Sequence, residues 1–198
     1  MNLKNKKLWL FDMDGTIYKD STLFDGTLPL LSKIKSIGGQ AVFVTNNSSL
    51  SAKDYVEKLI RLGIDCTEND IFSSTHATAL YINENFPKKR VFCVGTASMV
   101  QELKKFDVNA VTDTDGAEIV LLGFDTELTH KKLRDACVLL TGDIPYIATN
   151  PDYVCPTSFG SVPDCGSIAV MLEYAVKKKP LFIGKPSPVL IELAMKKL

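Results

Sequence analysis

Apolar residues along this chain form short runs that alternate with longer segments of helical periodicity. The run at residues 8–11 predicts a buried strand, and apolar positions at helical spacing follow within residues 28–37. A second run at residues 41–44 predicts another strand, and helical spacing returns at residues 55–62. Strands that alternate with helices through short connections are typical of a parallel sheet, so the chain predicts an α/β fold.

The remaining two thirds of the chain repeat this order of elements. Further strands are predicted at residues 91–94, 119–122, 146–148 and 181–183, and further helices at residues 99–106, 129–140, 167–176 and from residue 189 to the end. Residues 151–166 are rich in Pro, Gly, Ser and Asp, which predicts a long loop. Loops of that length in a compact domain are usually functional.

Two carboxylates follow the first predicted strand directly. Asp12 and Asp14 stand two residues apart and Gly15 comes next. Open α/β sheets bind their ligands at the carboxyl ends of their strands. Carboxylate oxygens suit Mg²⁺, and a carboxylate can attack a phosphoryl group. The pattern therefore favours phosphoryl chemistry over an acidic turn without chemistry.

The spacing assigns a role to each residue of this motif. Asp12 is the predicted nucleophile, forming an aspartyl-phosphate while Mg²⁺ bridges it to a phosphoryl oxygen. Asp14 is the predicted general acid that protonates the leaving group and the base that then activates water. Gly15 allows a tight turn whose N–H groups point at the phosphate.

Two further polar motifs follow predicted strands. Thr45 and Asn46 come after residues 41–44 and are predicted to bind phosphoryl oxygens, with an ordinary helix cap as the alternative. Lys185 comes after residues 181–183 and is predicted to stabilise negative charge, with a solvated surface lysine as the alternative. If one parallel sheet contains all these strands, its carboxyl edge gathers the three motifs.

In combination, the motifs resemble the haloacid dehalogenase-like hydrolase superfamily. Residues 12–16 match its first motif, Thr45 its second and Lys185 its third. The longer strings at residues 45–48 and 184–188 are similar to the NagD-like, or p-nitrophenyl phosphatase, branch.

This resemblance implies a Rossmann-like parallel-sheet core formed by residues 1–73 and 181–198, with an α/β cap domain inserted at residues 74–180. It also implies a Mg²⁺-dependent phosphatase acting on small phosphomonoesters such as a sugar phosphate or a nucleotide. In the cap, a loop near residues 150–165 is expected to face the substrate. Asp152 and Tyr153 are its candidate contacts, with ordinary turn chemistry as the alternative. Asp12 and Asp14 are the implied metal ligands.

The chain departs from the family pattern after the predicted final helix begins. The family's fourth motif is acidic, but Asp and Glu are absent after Glu192. We therefore expect either a fragment or a naturally short homologue, and weak or absent activity from these 198 residues alone. A phosphotransferase with the same intermediate and a catalytically impaired binding protein are the alternative functions.

Composition limits the classes of binding partner that we expect. Lys+Arg and Asp+Glu both number 23, so no net charge attracts the protein to nucleic acid or membrane. No apolar run approaches the ~18–20 residues that span a bilayer, and residues 1–7 are basic with no apolar segment of a signal peptide behind them. Five scattered cysteines without a C-x-x-C pair predict free thiols in the cytoplasm. We expect a small phosphorylated metabolite as partner, and the resemblance also allows a homodimer.

Overall fold

A computed structural model of the protein describes residues 5–19 and 21–197. The first residues of the basic N-terminus and the predicted helix end at Leu198 lie outside the described residues. Contacts divide the chain into two compact units, Met1–Thr45 with Ala52–Ser73 and Asn46–Ser51 with Ser74–Leu198. Each unit is described by itself.

The first unit is built on a parallel sheet in the order β1-β4-β5, with a small antiparallel hairpin of β2 and β3. Its elements are β1 (Leu8–Asp12), β2 (Tyr18–Lys19), β3 (Thr22–Leu23), α1 (Thr27–Ser36), β4 (Gln40–Thr45), α2 (Ala52–Arg61), a 3₁₀ turn (Glu68–Asp70) and β5 (Ile71–Ser73). β4 is the middle strand of this sheet, and its residues 42–45 are buried, as is usual in parallel sheets whose faces are covered.

The second unit is built on a parallel sheet in the order β12-β9-β8-β6-β7, with an antiparallel hairpin of β10 and β11. Its elements are α3 (Ser74–Asn85), β6 (Arg90–Val94), α4 (Ala97–Lys105), β7 (Asn109–Val111), β8 (Ile119–Leu122), α5 (His130–Leu140), β9 (Tyr146–Ala148), β10 (Val154–Thr157), β11 (Gly160–Pro163), α6 (Cys165–Val176), β12 (Leu181–Phe182) and α7 (Pro188–Lys197).

The central strand β8 of the second unit is apolar at every position because both of its faces are covered. Val120 and Leu122 of β8 pack in a cluster with residues of α5 and α6. Ile119 and Leu121 point to the opposite face, since side chains alternate along a strand, and they are fully buried as well. This double burial explains the continuous apolar run from which β8 was predicted.

The structure confirms the α/β fold and parallel sheets, and it corrects three details of the sequence prediction. The predicted long loop at residues 151–166 contains the β10–β11 hairpin, and α6 begins at Cys165 instead of residue 167. The short strands β2, β3, β5 and β7 were not predicted. The expectation of one sheet for all three motifs is wrong, because β12 pairs with β9 in the second sheet.

The contacts group residues 181–198 with residues 74–180, because β12 pairs with β9 and α7 packs on α3. The division into a core of residues 1–73 and 181–198 and a cap of residues 74–180 stays a prediction. Within residues 5–19 and 21–197, no helix has the length and apolarity needed to cross a bilayer.

A buried ionic cluster joins α3 to α4. His76 Nε2 lies 2.8 Å from Glu102 Oε1, and both side chains are almost fully buried. Lys105 Nζ lies 3.0 Å from the other carboxylate oxygen, and the ring of Phe106 stacks on His76. Burial alone raises the pKa of Glu102, but hydrogen bonds from His76 and Lys105 outweigh it and hold that pKa below its ordinary value.

Replacing Leu122 by Ala is expected to lower the free energy of unfolding by about 2–5 kcal/mol, because it opens a cavity in the core of the second unit. Urea denaturation measures this change. Val138→Ala on the exposed face of α5 is the control and is expected to leave stability nearly unchanged. Equal losses in the two variants would contradict the assignment of this core.

Glu102→Gln is expected to lower the melting temperature at pH 7, because it removes the charge that His76 and Lys105 face. A carboxyl group whose pKa is lower in the folded state than in the unfolded state stabilises the fold at pH values above its unfolded pKa. That stabilisation is lost as pH falls through its folded pKa. The deficit of the variant should therefore shrink below about pH 4. Thermal unfolding from pH 3 to 7 measures it, with the exposed Glu57→Gln as control. A deficit independent of pH contradicts a stabilising role for the Glu102 charge.

Candidate active site

A tight turn at the end of β1 exposes both predicted carboxylates. Met13 is fully buried, while Asp12 and Asp14 on either side of it are exposed. Gly15 has φ +80°, in the left-handed region that favours glycine, and its N–H donates to the Tyr18 carbonyl at 2.8 Å. In this geometry the Gly15 N–H serves the turn, and its predicted phosphate contact stays a prediction.

Asp14 is held from two directions by residues that the sequence analysis did not select. The Tyr18 hydroxyl donates to Asp14 Oδ2 at 3.1 Å, and Lys58 Nζ lies 3.6 Å from Oδ1. Lys58 Nζ also stands 4.0 Å over the Tyr18 ring. Burial, followed by the nearby Asp14 carboxylate, raises the pKa of Tyr18, so its hydroxyl remains a donor.

Strand register brings Asp12 beside the second predicted motif. Asp12 pairs with Val44 across the β1–β4 ladder, so Thr45 lies one residue further along the neighbouring strand. Thr45 pairs in turn with Ser73 at the end of β5 and is buried. Thr16 donates its hydroxyl to Asp12 Oδ2 at 3.0 Å, which restrains the carboxylate. Asp12, Asp14 and Thr45 therefore share one edge of the first sheet.

The donor set at this edge fits a hard divalent cation. Asp12 and Asp14 offer carboxylate oxygens, and Mg²⁺ usually takes one or two carboxylates together with water and substrate phosphate. Among the described residues there is no group of three or more His, Cys, Asp or Glu side chains that could hold a metal.

The other predicted motifs meet in the second unit. The Asn46 side chain accepts a hydrogen bond from the Lys185 N–H at 2.8 Å and donates to the Lys185 carbonyl at 2.9 Å. It also donates to Asp152 Oδ2 at 2.8 Å. The structure thus joins Asn46, Asp152 and Lys185, which lie far apart in the sequence.

A buried asparagine holds the Asp152 side chain through a hydrogen bond. Asn150 is fully buried, and its Nδ2 donates to Asp152 Oδ2 at 3.2 Å and to Asp164 Oδ1 at 3.1 Å. Burial raises the pKa of Asp164, although hydrogen bonds from Cys165 and Asn150 partly oppose this, and the Asp152 charge adds to the rise. The neighbouring Tyr153 is exposed, and its predicted substrate contact stays a prediction.

The sequence held a signal for one of the missed residues. Asp164 is the N-cap of α6, and an Asp immediately before an apolar helical pattern is a standard helix start. Tyr18, Lys58 and Asn150 had no such signal, because their roles depend on contacts formed by the fold. His76 and His130, which have no ligand spacing, lie in the first turns of α3 and α5.

Comparisons with known proteins agree on one family. The sequence pattern described as haloacid dehalogenase-like hydrolase matches residues 9–109. The chain is 31% identical to the 5'-nucleotidase YutF of Bacillus subtilis, over 99% of this chain and 76% of that protein. Among solved structures, 4-nitrophenylphosphatase from Thermotoga maritima matches with a TM-score of 0.93 and 39% identity, over 98% of this chain and 74% of that one.

A further solved relative was crystallised with a metal. Glycerol phosphate phosphatase from Mycobacterium tuberculosis in complex with calcium matches with a TM-score of 0.90 and 27% identity, over 97% of this chain and 56% of that one. The three matched proteins thus share phosphatase or nucleotidase names, and one of them holds a divalent cation.

Tyr18→Phe is expected to lower the free energy of unfolding by about 1 kcal/mol, because it keeps the buried ring but removes the hydroxyl that donates to Asp14. Chemical denaturation at pH 7 measures the change. Tyr174→Phe is the matched control, since the Tyr174 side chain is 75% exposed and should tolerate the loss. Indistinguishable stabilities would mean that the Tyr18 hydroxyl does not hold Asp14.

Proposed function

This chain belongs to the haloacid dehalogenase-like hydrolase family and is a phosphoric monoester hydrolase, and we propose that it cleaves small phosphomonoesters through an aspartyl-phosphate intermediate. One observation carries the proposal. Asp12 and Asp14 stand exposed at the carboxyl end of β1, with Thr45 at the end of the adjacent parallel strand. Open α/β sheets bind their ligands at this edge.

In the proposed reaction, an oxygen of Asp12 attacks phosphorus and the bond between phosphorus and the leaving oxygen breaks. Asp14 gives its proton to that leaving oxygen as the alcohol departs. Water then attacks the acyl-phosphate and Asp14 takes a proton from it, which releases phosphate and restores the Asp12 carboxylate. The Tyr18 hydroxyl and Lys58 keep the Asp14 carboxyl in place, and the Thr16 hydroxyl restrains Asp12.

We further propose that Asp12 and Asp14 hold Mg²⁺. The oxygen donors of this pair and the calcium complex of a relative support a divalent cation, and Mg²⁺ is our choice for its small size and preference for phosphate oxygens. Such a cation would neutralise charge on the phosphoryl group and the attacking carboxylate.

The remaining predicted residues have roles in binding and charge balance in this proposal. Thr45 and Asn46 belong to the phosphate-binding segment, and Lys185 offsets the negative charge of the phosphoryl group. Asp152 and Tyr153 are proposed to contact the organic part of the substrate. The names of the matched proteins cover a nucleotidase, a nitrophenylphosphatase and a glycerol phosphate phosphatase, which supports the general class of small phosphomonoesters.

We also propose a cytoplasmic location. All five cysteines are free thiols in the structure, and free thiols persist in a reducing compartment. Three of them, Cys66, Cys93 and Cys165, are buried, and burial raises their pKa values, which lowers their reactivity.

Asp12→Asn is expected to abolish hydrolysis of 4-nitrophenyl phosphate in the presence of Mg²⁺, because an amide cannot act as the nucleophile. Release of 4-nitrophenol measures the rate, on this chain and on a form that extends beyond Leu198. Asp25→Asn removes another exposed carboxylate of the first unit and serves as the control that keeps activity. Residual turnover by Asp12→Asn at the level of the control would rule out the covalent mechanism.

A panel of phosphorylated metabolites then identifies the substrate class. Hydrolysis that releases inorganic phosphate in proportion to the alcohol supports a phosphatase. Appearance of the phosphoryl group on an added acceptor alcohol would instead show a phosphotransferase.

A further inference from the structure

We propose that Asn46 is a positioning residue that clasps the main chain of Lys185, and that Asp152 fixes the orientation of the Asn46 amide. The inference rests on the proposed phosphatase function for its kinetic consequence, because Lys185 there balances the charge of the phosphoryl group. The hydrogen bonds that link Asn46 to Lys185 and Asp152 do not depend on that function.

The clasp continues the strand pairing beyond the end of β12. The Ile183 N–H donates to the Ala148 carbonyl at 3.1 Å, and the Gly184 N–H donates to the Thr149 carbonyl at 2.8 Å. At the next residue, the partner is the Asn46 side chain, which accepts a hydrogen bond from the Lys185 N–H and donates one to the Lys185 carbonyl. A side-chain amide carries a donor and an acceptor in one plane, so it can satisfy both groups as a neighbouring peptide would.

Asp152 and the Lys185 main chain together determine which way the Asn46 amide points. The second N–H of Asn46 donates to Asp152 Oδ2 at 2.8 Å. The flipped amide would place its oxygen against the Asp152 carboxylate and the Lys185 carbonyl, and its NH₂ against the Lys185 N–H. All three contacts would then be repulsive, so the hydrogen-bond network admits one orientation only.

Asp152 can act in this way because it is itself held at two points. Its Oδ2 also accepts from the buried Asn150 Nδ2, and its main-chain carbonyl accepts from the Gly166 N–H at 2.8 Å. Asn150 is tied in turn to Asp164, the N-cap of α6. The start of a helix thus supports the carboxylate that orients Asn46.

The backbone leaves space for the Asn46 amide at one glycine. A Cβ added at Gly184 would lie 2.7 Å from Asn46 Oδ1 and 2.5 Å from the Thr149 carbonyl oxygen. Real Cβ atoms do not approach so closely, and the absence of a side chain at Gly184 allows the amide to reach Lys185.

The arrangement changes the role assigned to Asn46. Both hydrogens of its amide are engaged, one by Asp152 and one by the Lys185 carbonyl, so the side chain has no N–H left to donate to a phosphate. Its effect on the reaction therefore passes through Lys185, whose flexible side chain starts from a fixed backbone position. Fixing a charged group before the reaction is how proteins stabilise transition-state charge.

Amide hydrogen exchange tests the clasp without reference to catalysis. Asn46→Ala is expected to speed exchange of the Lys185 N–H about tenfold relative to the Gly184 N–H, whose main-chain acceptor is unchanged. Asn85→Ala, which removes an exposed amide bonded to the Tyr81 carbonyl, is the matched control and should leave that ratio unchanged. Equal acceleration at Ile183, Gly184 and Lys185, or no acceleration, would overturn the clasp.

Isosteric variants test the role of Asp152. Asn46→Asp keeps an acceptor for the Lys185 N–H but sets a carboxylate against Asp152, so we expect loss of Lys185 protection similar to that of Asn46→Ala. Adding Asp152→Asn supplies an amide that can donate to the new carboxylate and should restore part of the protection. Absence of any rescue would show that Asp152 does not orient residue 46.

Kinetics test the consequence for the reaction. Asn46→Ala is expected to lower kcat by about 10–100-fold with KM nearly unchanged, because a misplaced charge acts mainly on the transition state. In a Lys185→Ala background the same change should cause little further loss, and fully additive losses would overturn the proposal. If neither this chain nor a form that extends beyond Leu198 hydrolyses a phosphomonoester, the proposed function fails, and the exchange measurements still decide the clasp.

Discussion

The parallel pairing of β1 with β4 sets Asp12 opposite Val44 and one position before Thr45. The register fixes these positions through main-chain hydrogen bonds, and the buried apolar residues of β4 hold the ladder in place. A slip of one residue would turn every side chain of β1 to the other face of the sheet. The exposed carboxylates and the buried Met13 between them therefore depend on this one ladder.

Beside that ladder, few contacts hold the charged side chains of the first unit in place. Asp14 is held by a buried tyrosine hydroxyl and by a lysine that also stacks on the tyrosine ring. A surface ion pair alone contributes little, because solvent screens it and two side chains lose freedom. The Tyr18 hydroxyl is different, since its ring is locked in the core and its donor direction follows from that.

The second unit holds its residues differently, through a chain of side-chain hydrogen bonds in which two amides alternate with two carboxyl groups. Asn46, Asp152, Asn150 and Asp164 are linked in series, and the last of these caps α6. Such a network is stable only when every member is satisfied, because an unpaired polar group is costly once buried. Because each polar group needs its own partner, the network fixes the positions of the segment after β4, the hairpin region and Lys185. Apolar packing would fix these positions less specifically.

Sequence patterns predicted those elements whose burial is complete or strictly periodic. The strands at residues 119–122 and 146–148 agree with β8 and β9 to the residue, because parallel strands covered on both faces read as continuous apolar runs. The β10–β11 hairpin was predicted to be a loop, since its Pro, Gly and Ser residues are typical of turns. β5 is three residues long and merges into α3, too short for a period to be visible.

By itself, the sequence identified the candidate residues of the site: which carboxylates follow a strand, which hydroxyl and amide follow the next, and which lysine follows the last. Those residues are local in sequence and carry their reactivity with them. The tertiary structure decided their partners. In the folded protein the strand before Lys185 pairs within the second sheet, and Tyr18 and Lys58 contact Asp14. The Asn46 side chain is hydrogen-bonded to the Lys185 main chain. Hydrogen bonds between residues up to 139 positions apart depend on the folded path of the chain, which no local pattern encodes.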